Sequence, residues 1–173
     1  TATKRFHVRR FPTAILTTDQ GIESDRFTGF VNPTELREDL TRAMEGEATV
    51  WEYERILKER RDPTIMILMA REFIDRCEPD KAMEYLNQAK MIDAEGDLGA
   101  IDDVMFAEAM IERDDRKWYK SLELLKKLVK NYPESEWRED AELYIPWLLT
   151  QAGDNEEALK RYNQFLDDYG SSS

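Results

Sequence analysis

Small residues recur at nearly constant intervals along the last three quarters of the chain, and that recurrence limits the folds open to it. Ala82, Ser121 and Ala158 stand 39 and 37 residues apart, each opening an amphipathic stretch. Ala70, Ala107 and Pro146 repeat at 37 and 39 in the stretches just before them. Two helices can cross closely only where one of them offers no bulk, and a larger residue one turn away fills what remains. A self-similarity of this length therefore predicts stacked helix-turn-helix units. Three are expected, at about 63–93, 100–133 and 135–169, with turns around Pro79, around Asp114, Asp115 and Arg116, and at Gly153 and Asp154. An ordinary helical bundle is the alternative, because apolar residues at i, i+3 and i+4 describe any amphipathic helix. With only 7 Gly and 6 Pro in 173 residues, the chain is expected to be mostly α.

The residues at these positions are Ala70, Phe73, Ala82, Leu86 and Ala89, then Ala107, Met110, Ser121, Leu125, Leu128 and Pro133, then Leu149, Ala158, Tyr162 and Phe165. In this pattern the chain resembles the tetratricopeptide-repeat (TPR) family, whose helical hairpin places small and large apolar residues in the same order. Asn131, Tyr132, Pro133, Glu134 and Ser135 form a junction in which Pro133 stops one helix and Ser135 can cap the next. It is similar to the Tyr-Pro-x-Ser junctions of bacterial envelope and scaffold repeats. The period departs upward from the family's usual 34. Pro146 falls inside a helix, where it removes a backbone hydrogen bond at a cost of about 3 kcal/mol, so a bend or break is expected there. A further helix over 47–60, with Val50, Tyr53, Ile56 and Leu57 on one face, is expected to cover the first repeat.

Arrays of this kind display their first helices along a concave surface. Carried over to this chain, the resemblance implies a peptide-binding groove at Ile67 and Arg71, Val104 and Glu108, and Leu143 and Trp147. A Trp beside acidic residues suits a protein or peptide partner with basic and apolar side chains. The bland reading of Trp147 is that it packs against its neighbours.

Residues 1–46 form a separate segment in the sequence. Seven basic and seven acidic residues balance within 1–45, so the whole net charge of −12 belongs to residues 46–173. Thr13–Thr18 and Ile22–Thr28 read as a hairpin around Asp19, Gln20 and Gly21. Asn32, Pro33 and Glu35 then announce a helix with a capping box, whose apolar face is Leu36, Leu40, Ala43 and Met44. With Val8, Arg9, Pro12, Thr13, Gly21, Gly29 and Leu36 in register, residues 6–44 resemble the closing half of a thioredoxin. The resemblance implies that Pro12 is cis and that Phe11 and Pro12 form a substrate loop, able to pair with an extended peptide.

The chemistry of that family is not encoded here. The single cysteine, Cys77, excludes a CxxC centre or an internal disulfide, and the single histidine, His7, speaks against a histidine-based metal site or triad. Asp102 with Asp103, Asp114 with Asp115, and Asp167 with Asp168 read as caps and solvated turns rather than catalytic dyads. No enzymatic activity, metal or cofactor is expected. The negative charge argues against nucleic acid, since phosphate contacts need a positive surface, and no apolar run spans a membrane. The compartment stays open between the cytoplasm, which the reading favours, and the periplasm.

The expected function is a non-catalytic protein–protein interaction scaffold. The alternative is a thioredoxin-family oxidoreductase or redox-linked chaperone whose CxxC half lies outside this chain. A hairpin plus one helix is marginal alone. It must pack on the repeats, pair with a second copy in a homodimer through 1–46, or belong to a longer protein; the reading favours the last.

Overall fold

The computed structural model describes residues 2–29, 32–96 and 98–170, with the side chain of Ala2 left aside. Its elements run α1 (Ala2–Arg5), β1 (Thr13–Thr17), β2 (Glu23–Thr28), α2 (Pro33–Glu45), α3 (Val50–Glu59), α4 (Pro63–Asp75), α5 (Pro79–Ile92), α6 (Ile101–Asp114), α7 (Trp118–Asn131), α8 (Arg138–Ala152) and α9 (Asn155–Tyr169). They fall into two compact units, 1–92 and 93–173. The compositional change near Gly46 thus lies inside the first unit, and the three expected hairpins divide as one (α4–α5) and two (α6–α7, α8–α9).

In the first unit β1 and β2 pair antiparallel, from Thr13 opposite Thr28 to Thr17 opposite Glu23. Gly21 turns the chain at φ 72°. The Phe11–Pro12 bond is cis, and the Pro12 carbonyl accepts from the Gly29 amide at 2.9 Å. The capping box of α2 forms as its sequence predicts. The Asn32 side chain accepts from Thr34 and Glu35 amides, and Glu35 reaches back to the Asn32 amide. The expected apolar face of α2 does not become core: Leu36, Leu40 and Ala43 are outside the buried set and Met44 is 80% exposed. Thr49 caps α3, which packs on α4 through buried Val50 and Tyr53, as expected for a covering helix.

The hairpin packs within this unit by means of charge. At the end of α4 the Glu72, Phe73 and Ile74 carbonyls accept from the Arg76, Glu78 and Cys77 amides of the following turn, and arginines supply further donors. Arg10 donates to the Ile74 carbonyl at 3.1 Å and to Asp75 Oδ1 at 3.0 Å. Arg26, buried on β2, donates to the Asp75 carbonyl at 3.1 Å, to the Phe6 carbonyl at 2.6 Å, and through Nε and Nη2 to Glu23, both at 2.9 Å. Two guanidinium groups therefore complete the C-terminus of α4, where its dipole favours cations.

The predicted small residues are buried in both units: Ala70, Ala82, Ala89 and Ser121 fully, and Ala107 and Ala158 nearly so; Ala109 and Ala141, not singled out in the sequence, are fully buried as well. Ser121 also donates to the Ala109 carbonyl at 2.8 Å, tying α7 to α6 at their contact. Leu125, Leu128, Leu148, Ile145 and Leu149 fill the core of the second unit. Complete burial of each leucine contributes roughly 2 kcal/mol. Pro146 does not break α8, which runs uninterrupted through it. Its neighbours Ile145, Leu148 and Leu149 are locked in the core, and that burial outweighs one missing backbone bond. Ser135 accepts from the Trp137 amide at 3.2 Å, but α8 starts later, at Arg138, so its role is to shape the entry rather than to cap.

Candidate functional site

Of the six expected groove residues, two are in the core. Ile67 on α4 and Val104 on α6 are 3% and 0% exposed, so neither can present a free side chain. Both belong to helices apolar on more than one face: α4 buries Met66, Met69, Ala70 and Phe73 besides Ile67, and α6 buries six residues. Arg71 and Glu108 are half-buried on the same two helices. Ile67 and Arg71 belong to the first unit; the other four belong to the second.

Leu143 and Trp147 form the outward strip of the expected set. They sit one turn apart on α8, 44% and 37% exposed, while Ala141, Ile145, Leu148 and Leu149 of the same helix are buried. Their spacing of four keeps them on one face. Glu139 and Asp140 continue that face toward the N-terminus and Glu136 lies in the turn just before the helix, all three exposed. Trp147 is partly packed as well: its ring meets Trp118 edge-on at 6.0 Å.

What positions this strip is an aromatic seam between α6 and α8 that sequence reasoning missed. Trp137 stacks on Phe106 at 4.5 Å, and its indole nitrogen donates to Asp103 at 2.7 Å. Tyr144 leans on the same Phe106 at 6.2 Å and carries Arg113 over its ring at 5.2 Å. Aromatic pairs like these add about 0.5–1.5 kcal/mol each beyond area burial and hold ring angles tightly. The available signal was two aromatics, Trp137 at the entry to α8 and Tyr144 two turns into it. At the other end Tyr119 donates to Asp154 at 3.2 Å, and that charge raises the phenol's pKa.

In the first unit, Phe11 is 74% exposed in the loop before β1, and Pro12 beside it is exposed too. Cys77 is half-buried in the α4–α5 turn at φ 58°. Among the described residues no group of three or more His, Cys, Asp or Glu is placed to hold a metal ion. No helix among them is long and apolar enough to cross a membrane.

The protein class rests on two stretches, 103–135 and 140–172, each matched by the tetratricopeptide repeat family model. They coincide with α6–α7 and α8–α9 and together span less than half of the chain. No curated protein and no solved structure matches the chain. Repeats of this kind generally mediate protein–protein interactions, and the second unit carries two of them.

Proposed function

We propose that the chain is a non-catalytic scaffold that docks a protein or peptide partner on the outward face of α8. The partner presents apolar residues to Leu143 and Trp147 and basic residues to Glu136, Glu139 and Asp140. The observation that carries this reading is the exposure of a Leu–Trp pair on a helix whose other faces are immobilised in the core. A preorganised surface loses little entropy on binding, so a small apolar contact suffices for useful affinity. Calorimetry with a synthetic amphipathic Lys/Leu helix as probe tests it. Trp147→Ala and Leu143→Ser should each weaken binding about tenfold or more while the helical circular dichroism stays unchanged. Equal affinity of both variants and the wild type would refute the reading.

A second reading concerns residues 6–44, whose strand, turn, strand and capped helix keep the order of the closing half of a thioredoxin. The specific observation in its favour is Phe11, displayed in the loop before β1 at 74% exposure. On this reading the loop at Phe11 and Pro12 receives an extended peptide, and a CxxC-bearing half, encoded before Thr1, supplies redox or chaperone chemistry. The sequence upstream of Thr1 decides it: a CxxC a few tens of residues before Pro12 supports it, and an upstream sequence lacking one removes it.

A further inference from the structure

The joint between the hairpin and the helices of the first unit contains more buried charge than its hydrogen bonds satisfy. Asp25 on β2 is 1% exposed. Its Oδ1 accepts from the Arg26 amide at 2.8 Å. Its Oδ2 is sealed from solvent without a hydrogen-bond partner, and Arg42 of α2 stands 3.7 Å away. Glu72 on α4 is half-buried as a residue, yet its Oε2 is sealed and without a hydrogen-bond partner. The same is true of Nε and Nη2 of Arg76, whose ion-pair contact is Glu23 on β2 at 3.6 Å. Elsewhere the joint is bonded by Arg10 and Arg26 at the end of α4. Among the described residues, the unsatisfied carboxylate oxygens of this unit thus belong to two groups, Asp25 on the hairpin and Glu72 on α4.

We propose that Asp25 and Glu72 form a proton-dependent latch: a proton held on Glu72 fastens the β-hairpin to α4, and its loss loosens the hairpin without unfolding the helices.

The charged and titratable groups that act on Glu72 come from several elements. β2 contributes Asp25, α2 contributes Arg42, α3 contributes Tyr53, and α4 itself contributes Asp75, with Arg76 at its C-terminus. From α5, Lys81 lies 5.1 Å over the ring of Phe73, the next residue along α4. Burial raises the Asp25 pKa, opposed by the Arg26 amide, Arg42 and Arg76. Glu72 is pushed up to about 7, first by burial and then by the charge on Asp25, against weaker help from Arg76 and Arg42. Burial and the Glu72 charge also raise the Tyr53 phenol.

A carboxyl whose pKa is raised in the docked state holds its proton there at pH values where the undocked state has lost it. Docking is therefore tightest at acid pH. It weakens as pH rises from the ordinary glutamate range through about 7, and stays weakened above that.

Hydrogen exchange on the whole chain reads this directly. Protection factors of the β1 and β2 amides should fall about tenfold or more between about pH 5 and pH 8, whereas those of α8 and α9 should not change. Glu72→Gln keeps the shape, removes the titration, and should abolish the pH dependence of the hairpin. Carbon-13 titration of the wild-type Glu72 carboxyl needs no variant and should give a midpoint near 7. Hairpin protection independent of pH, a dependence that survives Glu72→Gln, or a midpoint in the ordinary glutamate range would each overturn the latch.

Discussion

Both units contain helical hairpins, but their parts are held together by opposite means. In the second, α6, α7, α8 and α9 pack successively through small residues and a leucine-rich core, with a stacked aromatic seam beside it. In the first, the β-hairpin is fastened to α4 by Arg10, Arg26 and Glu23, around the carboxyls of Asp25 and Glu72. Apolar packing is insensitive to pH and tolerates gradual change. A buried charged joint depends on every partner being present and on its protonation. The contrast suggests a division of labour, with a rigid unit that displays α8 and a unit whose hairpin responds to conditions.

The contrast can be broken at its strongest point by Leu125→Ala. Leu125 is completely buried, and its truncation should cost the second unit roughly 3 kcal/mol in urea unfolding. The hairpin's hydrogen exchange should not change; its loosening would show that the units do not separate as described. Arg26→Ala should come next. It leaves the Phe6 and Asp75 carbonyls and Glu23 without their donor, at a cost of about 2–3 kcal/mol. The loss should appear in hairpin protection, with α8 and α9 untouched. Ser121→Ala is the smallest, about 1 kcal/mol, because it removes one buried bond to the Ala109 carbonyl while preserving the close crossing. A cost near that of Leu125→Ala would mean that the crossing depends on the hydroxyl rather than on lack of bulk.

These two modes of joining differ in how well a sequence reveals them. Ala82, Ser121 and Ala158 could be read because a close crossing demands small size and the demand recurs with each hairpin. The capping box at Asn32 and Glu35 could be read because its partners are three residues apart. Arg26 could not. It meets Asp75 across 49 residues, and a lone arginine in a strand reads as solvated until the end of α4 is seen to need donors. Ile67 and Val104 were misplaced for a related reason. Periodicity reports that a face is apolar, not whether a second helix covers it, and α4 and α6 are covered on more than one side. At Pro146 the expected break does not occur, since a local penalty of about 3 kcal/mol is visible in sequence whereas the burial around it is not.

The strip on α8 is where function is assigned, and Trp147 supplies its own probe. In a proton–nitrogen spectrum of the whole chain titrated with the Lys/Leu helix, the Trp147 indole signal should move early and saturate together with the amides around Leu143. The Trp51 indole, exposed on α3 in the other unit, should stay fixed. A titration in which Trp147 is silent while Trp51 or Phe11 responds would contradict the assignment of the binding surface to α8.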